Sequence, residues 1–255
     1  MTPDEKSNSL KQHYLSIKDC RKCDLALSRT KFVFGSGNAN SKIMFVGEAP
    51  GKNEDLQGKP FVGQAGKLLD GLLDLIGHKR TEVFIANVLK CRPPQNRDPR
   101  PEEISFCKNY LFEQIEIIDP LIICTLGKYS TQLLIGTNEG ITGLRGRVFK
   151  NSGRIIMPIN HPAAALYASS RLEILKNDFK KIEKVISVIK TGIPDPSIKF
   201  EVLSSIENEN DQIEIEKYLK IPKIDDGHNM DIEESKRISE DIADDNFHTE
   251  QMGLF

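Results

Sequence analysis

Four short apolar runs constrain this chain more than any other feature: Ile43 to Val46, Val83 to Val88, Leu121 to Leu126 and Ile155 to Ile159. Rich in Ile, Val and Phe and with little alternation, they read as strands buried on both faces. A strand with no polar face cannot border water, so each side of such a sheet needs a covering layer. Helical patterns between the runs supply it. Leu68, Leu69, Leu72, Leu73 and Ile76 recur at helical spacing, with Gly77 as a stop. Pro101-Glu102-Glu103 opens another helix, with proline early and acids in the first turn, where the helix dipole favours them. That helix is expected to turn Ile104, Cys107, Leu111 and Ile115 inward. Tyr129 to Ile135 and Leu172 to Ile189 complete the set. Strand and helix alternate throughout, so the expected fold is α/β, a three-layer α/β/α sandwich.

At 255 residues the chain has room for one full core and an extension. The folded domain is expected over residues 1–192, because Pro194 and Pro196 interrupt the last helix. Residues 193–255 are expected to form an acidic tail. Within it, Ile198 to Leu219 carries enough apolar residues for a short helix, whereas Asp225 to Glu250 has too few to offset chain entropy and is expected to be disordered. The net charge of −2 conceals an asymmetry: residues 201–255 hold 16 acidic against 5 basic side chains, and residues 1–200 hold 30 basic against 21 acidic. A basic body suits an approach to nucleic-acid phosphates, and an acidic tail would shield it from non-specific contact. The chain lacks any run of ~18 apolar residues that would suggest a membrane span. Met1 to Lys11 is polar and does not resemble a signal peptide. Five cysteines in such a chain favour metal ligation over disulfides, and the expected location is the cytoplasm.

The polar residues that stand out follow the apolar runs. In open α/β sheets ligands bind beyond the carboxyl ends of the strands. Gly47-Glu48-Ala49-Pro50-Gly51 follows the first run there, its glycines permitting close backbone approach and Glu48 placing a carboxylate at the strand mouth. Glu54-Asp55 and the glycine-dense Gly58-Lys59-Pro60-Phe61-Val62-Gly63-Gln64-Ala65-Gly66 continue it, with Phe61 expected to be displayed toward a ligand rather than buried. Asn87 ends the second run, and a buried amide there must satisfy both donors and its acceptor. His161 follows the fourth run in Asn160-His161-Pro162-Ala163-Ala164-Ala165-Leu166, where Pro162 holds it out of helical geometry. Each residue alone has a bland reading as turn former or core packer. Three polar groups converging on one sheet edge do not.

Cys20 and Cys23 form a Cys-x-x-Cys pair, and Cys91 and Cys107 lie far downstream with 15 residues between them. Four thiolates converging from distant segments suit tetrahedral zinc or an iron–sulfur cluster, and spacing does not separate the two. Cys124 lies inside an apolar run and reads as a small core residue.

From Asp19 to Lys190 the chain resembles the family 4 uracil-DNA glycosylases, the iron–sulfur type of archaea and many thermophilic bacteria. The resemblance rests on Gly47-Glu48-Ala49-Pro50-Gly51 with Glu54-Asp55, on Gly58-Lys59-Pro60-Phe61-Val62-Gly63, on Asn87-Val88-Leu89-Lys90-Cys91-Arg92-Pro93-Pro94 and on Asn160-His161-Pro162-Ala163, in family order and separation. The sister family 5 lacks the acid of the first motif, so Glu48 favours family 4. The resemblance implies a sandwich with a central four-stranded parallel sheet. It also implies a structural 4Fe–4S cluster on Cys20, Cys23, Cys91 and Cys107.

The implied activity is hydrolysis of the N-glycosidic bond of uracil flipped out of DNA. In that reading Gly47, Ala49, Phe61 and Asn87 contact the base, with Phe61 stacking on it and Asn87 reading its O4 and N3 edge. His161 stabilises charge on O2, and Glu48 orients or deprotonates water or meets the developing sugar cation. Leu166 fills the gap left by the flipped base. No lysine is placed as a nucleophile, so the product is an abasic site. The terminal Gln251-Met252-Gly253-Leu254-Phe255 resembles peptides that dock on DNA sliding clamps, with Gln251 in a polar pocket and Met252, Leu254 and Phe255 in an apolar groove. A monomer is expected. Two other readings stay open: a glycosylase for hypoxanthine or xanthine, and a non-catalytic, zinc-dependent nucleic-acid-binding module.

Overall fold

The computed structural model describes residues 1–151 and 154–202. The tail from residue 203 onward, including the stretch from Asp225 to Glu250 and the terminal peptide from Gln251 to Phe255, lies outside the described residues. The chain opens with helices α1 (Pro3–Ile17) and α2 (Leu25–Ser28), then strands β1 (Ser36–Gly37) and β2 (Ile43–Gly47). Helices α3 (Lys52–Gln57) and α4 (Gln64–Leu75), strand β3 (Phe84–Asn87), helix α5 (Pro101–Ile118) and strand β4 (Ile122–Leu126) follow. The remainder is α6 (Lys128–Ile135), α7 (Ile141–Leu144), β5 (Val148–Asn151), β6 (Arg154–Ile159), α8 (Ser169–Thr191) and β7 (Phe200–Val202).

The four apolar runs become β2, β3, β4 and β6, which pair in parallel in the order β3-β2-β4-β6. The four-stranded parallel sheet is therefore present, as the centre of a larger mixed sheet of seven strands among the described residues. β1 pairs antiparallel to β3, β5 antiparallel to β6, and β7 parallel to β5. These edge strands escaped the sequence reading because they are two to four residues long and only partly apolar.

Successive strand residues face opposite layers, and both faces are dry. Met44, Val46, Ile123 and Ile156 pack with Leu10 and Ile17 of α1 and Leu111 and Ile115 of α5. Ile43, Phe45, Cys124 and Met157 pack with Leu69 and Leu72 of α4 and Phe179 and Ile182 of α8. The Phe45 and Phe179 rings stack with centroids 5.5 Å apart. Helices on both faces of the sheet give the α/β/α sandwich.

Two features at the ends of the described chain go beyond or against the sequence reading. α1 is a well-formed helix in the polar N-terminal stretch, held by the reciprocal capping box of Thr2 and Glu5 and by a narrow stripe of Leu10, His13 and Ile17. Of the stretch from Ile198 to Leu219, where a short helix is expected, residues 198–202 carry an edge strand instead, and the remainder lies outside the described residues. Beyond Gly192 the chain turns back, buries Ile198 against the α4–α8 layer and lays Phe200–Val202 on β5, with Glu201 paired to Arg147. Among the described residues no helix is long and apolar enough to cross a membrane.

Candidate active site

Parallel pairing brings the carboxyl ends of the strands to one edge. Gly47 of β2 stands in register with Asn87 of β3, and Leu126 of β4 with Ile159 of β6. The residues just past these ends are therefore neighbours. The β2–β3 ladder runs on beyond the strands: Val88 N–H donates to Gly47 O and Leu89 N–H to Glu48 O, both at 3.0 Å. This fixes the backbone of Glu48 and aims its side chain from the edge.

Glu48 is half-buried. Burial first, then the charge of Asp98, push its carboxyl from the ordinary 4.5 up to about 7, with Lys128 opposing. Asp98 is held in place by Tyr129, whose hydroxyl donates to Oδ2 at 2.7 Å, and this bond pushes the phenol up to about 12. A carboxyl that titrates near neutral pH suits proton transfer.

Asn87 is buried, and its Oδ1 has no hydrogen-bond partner. Gly47 is what allows it to sit there: a Cβ on Gly47 would come 2.4 Å from that oxygen and 2.7 Å from the Phe61 ring. An orphaned acceptor in a dry place costs about 1–3 kcal/mol, which a ligand N–H would offset.

Phe61 is not displayed, contrary to expectation. It is 6% exposed, belongs to the α4–α8 core and leans on His161, with ring centroids 5.5 Å apart and planes 27° from parallel. Its backbone is left-handed, with φ at 51°, an uncommon state for a bulky side chain. Three contacts hold it. Glu54 Oε1 accepts the N–H groups of Val62 and Gly63, each at 2.9 Å. Arg80 Nη2 donates to Pro60 O. Gly66 lies so close beneath that a Cβ would come 1.8 Å from Phe61 O. Glu54 thus braces the loop, and buried Asp55 accepts Thr30 N–H at 2.9 Å in the same manner.

His161 opens the short turn Pro162–Ala165, and its Nδ1 accepts the Ala163 N–H at 3.1 Å. That leaves the ring proton of the neutral form on Nε2. Burial pushes the imidazole down to about 4 against the smaller pull of Glu54, so at neutral pH it is an uncharged donor. Gly127, with φ at +99°, makes room: a Cβ there would come 3.3 Å from the His161 Cβ. The turn ends in half-buried Leu166, and the next residue, Tyr167, is 89% exposed.

Strand ends thus gather Gly47, Glu48, Asn87 and His161, and the loop after α3 adds Phe61. Ala49 is half-buried in the same loop as Glu48. The sequence reading missed Asp98, Tyr129 and Lys90. Lys90 is fully buried, its Nζ donating to Asn87 O at 2.8 Å and Gln114 Oε1 at 2.7 Å, so it props the end of β3 from behind. Nothing in a surface-type residue beside Cys91 signals such a role.

Among the described residues no three or more His, Cys, Asp or Glu side chains stand in a metal-holding arrangement. The four cysteines nevertheless share one neighbourhood. Burial pushes the thiols of Cys23 and Cys91 up, and that of Cys107 up to about 12, and in each case other cysteines of the set add to the effect. Donors converge on the sulfurs: Arg29 Nη1 on Cys91 Sγ and Tyr110 hydroxyl on Cys20 Sγ, both at 3.3 Å. Thiolates are costly here unless cations offset them, and soft thiolates select zinc or iron–sulfur centres. The donor set fits such a centre. Cys124 is a core residue, fully buried in β4.

A family model described as the uracil DNA glycosylase superfamily matches residues 34–187. The Type-4 uracil-DNA glycosylase of Sulfurisphaera tokodaii is 48% identical over 187 residues, covering 70% of this chain and 85% of that protein. The protein of the same description from Archaeoglobus fulgidus is 47% identical over 174 residues, covering 65% and 87%. That from Thermotoga maritima is 44% identical over 176 residues, covering 68% and 91%.

Proposed function

The chain belongs to the uracil DNA glycosylase superfamily, in its type-4 branch, and on that footing we propose how this site excises uracil from DNA. The observation that carries the reading is the buried, unpartnered Oδ1 of Asn87 beside Phe61 and Gly47. Uracil presents an N3–H donor next to its O4 acceptor, which suits the Asn87 carboxamide: Oδ1 accepts from N3 and Nδ2 donates to O4. Cytosine reverses both groups and leaves the amide mismatched. Thymine differs only at C5, where the loop from Ala49 to Asn53 excludes its methyl. Phe61 and the bare Cα of Gly47 supply the flat apolar wall.

Breaking the N-glycosidic bond leaves positive charge on the sugar and negative charge on uracil. The Nε2–H of neutral His161 donates to uracil O2 and takes up the growing charge. Because burial holds the ring uncharged, it stabilises uracil without a proton transfer. Glu48, as carboxylate, accepts a proton from the water that attacks C1′, and before that faces the sugar cation; both tasks need its ionised form. The products are free uracil and an abasic site, in a base-excision repair step. Leu166 closes the rim where the base leaves the duplex.

Cys20, Cys23, Cys91 and Cys107 would hold a 4Fe–4S cluster, whose cationic irons would tie together the loop after α1, the end of β3 and α5. Ultraviolet–visible spectra test it: a brown protein absorbing near ~400 nm supports iron–sulfur, and a colourless zinc-loaded protein overturns it. The enzyme works as a monomer in the cytoplasm, on nucleoid DNA. Its terminal Gln251, Met252, Leu254 and Phe255 dock on a sliding clamp, the acidic tail acting as tether. Equal clamp binding by the full chain and by a chain lacking Gln251 to Phe255 would remove that partner.

The decisive experiment is single-turnover cleavage of an oligonucleotide with one uracil, followed by alkali, beside strands carrying hypoxanthine, xanthine, thymine or cytosine. Uracil-specific cleavage, lost in His161→Ala and weakened in Asn87→Asp, supports the assignment. Faster hypoxanthine or xanthine release shifts it to another deaminated base. No cleavage of any strand by the cluster-loaded protein leaves a nucleic-acid-binding module.

A further inference from the structure

Flipping a nucleotide leaves a hole in the duplex, and the protein needs a side chain to occupy it. Leu166 suits that task by chemistry but not by placement: it is half-buried at the end of the His161 turn. Its neighbour is placed differently. Tyr167 is 89% exposed, more than any other large apolar side chain among the described residues. It is also not loose. Its hydroxyl donates to Gln64 Oε1 at 3.3 Å, and Gln64 is the first residue of α4, directly beyond the loop that carries Phe61. Arg171 Nη1 donates to Ala164 O at 3.4 Å and braces the same turn. Tyr167 therefore spans the two walls of the site, the His161 turn and the Phe61 loop, with its ring facing solvent on the rim. An aromatic ring held out of water contact by nothing is an exposed stacking platform.

We propose that Tyr167, rather than Leu166, enters the base stack when uracil leaves it. The ring has a base-sized face and only two side-chain torsions to fix, so it replaces lost stacking at low entropic cost. Stacking of one base on an aromatic ring changes an equilibrium by about 5- to 150-fold. The hydroxyl's bond to Gln64 keeps the ring raised before DNA arrives, and the wedge can release that bond as it moves in. The proposal rests on the glycosylase reading above.

The test compares the wild type with Tyr167→Ala, Tyr167→Phe and Leu166→Ala. Single-turnover excision is measured on one sequence as a single strand, as a duplex with adenine opposite uracil and as a duplex with guanine opposite. 2-Aminopurine beside the uracil reports unstacking by fluorescence. Tyr167→Ala is expected to lower duplex excision at least tenfold more than single-strand excision, most with adenine opposite, and to diminish the 2-aminopurine signal. Tyr167→Phe, which keeps the ring, is expected to restore most of both. Equal losses on single strand and duplex overturn the proposal, as does a duplex-selective loss confined to Leu166→Ala. If the wild type leaves even the single strand uncut, the glycosylase reading fails instead, which is a separate outcome.

Discussion

Glu48→Gln is expected to make the protein inactive and more stable at once, with the gain confined to neutral and alkaline pH. In the fold its carboxyl titrates at about 7, against 4.5 ordinarily, with burial the leading cause and Asp98 the second. At full weight that difference corresponds to roughly 3 kcal/mol held against the ionised form. Glu48 is only half-buried, so solvent screening reduces it to the order of 1–2 kcal/mol. Because the folded-state value is raised, the folded chain keeps a proton that the unfolded chain has lost between pH 4.5 and 7. Stability therefore falls as pH rises through that window and levels off above it. Glutamine has the same shape and no charge to lose.

The variant should match the wild type below about pH 4.5 and exceed it by ~1–2 kcal/mol at pH 8, about 2–8 °C in Tm for a chain of this size. Calorimetry of the full chain at pH 5, 6.5 and 8 reads this directly. Uracil excision, measured alongside, should drop by about 10²–10⁴, the contribution of a positioned base. In the wild type it should fall about tenfold per pH unit below 7. A Tm difference that is independent of pH, or a less stable variant at pH 8, would refute the argument. A stabilised, inactive protein also excludes misfolding as the reason for lost activity.

Gly47→Ala should abolish excision while leaving the far-ultraviolet circular dichroism of the fold intact, because the new methyl would sit 2.4 Å from Asn87 Oδ1 and 2.7 Å from the Phe61 ring; overpacking of this kind costs about 1–3 kcal/mol. Glu54→Ala removes the acceptor of two loop N–H groups and should lower kcat/KM with little change in the pH profile, and Glu54→Gln should recover part of it; activity equal to wild type in both would show that Phe61 needs no brace. Asp98→Asn deletes a negative charge that raises Glu48, so the acid limb of the pH–rate profile should move to lower pH; an unmoved or upward-shifted limb contradicts the assignment.

The centre of the fold was legible because burial on both faces leaves no choice of residue: Ile, Val, Phe and Leu must fill β2, β3, β4 and β6, and such runs are rare elsewhere in the chain. Its edges were not. β5 puts Val148 and Phe149 inward but leaves Lys150 exposed, a pattern shared with many loops. β7 follows two prolines and is only three residues long, Phe200-Glu201-Val202, too short to show a pattern. α1 buries only Leu10, His13 and Ile17, although Thr2 and Glu5 at capping-box spacing were a readable start signal. Strand ends made Glu48, Asn87 and His161 legible as neighbours, since parallel pairing brings every residue after a strand to one edge. The posture of Phe61 was not, because its left-handed backbone depends on Glu54, Arg80 and Gly66 arriving from three separate segments. Asp98 and Tyr129 carry no local signal at all.

Four features at the carboxyl edge run against ordinary preference. Asn87 Oδ1 is dry and unpartnered, Phe61 has φ at 51°, Glu48 titrates far above a free carboxyl and His161 far below a free imidazole. Any one of them could be a local accident of packing. Their coincidence at one edge has a common physical meaning under the proposed reading, in which a uracil nucleotide would relieve or use each. N3–H would satisfy the amide, and the base would lie against the wall formed by Gly47 and the buried Phe61 ring. The sugar cation would favour the carboxylate, and the O2 anion would favour the uncharged N–H donor. The parallel ladders and two dry layers of the surrounding fold are the rigid frame which can hold four unfavourable groups in place until substrate arrives.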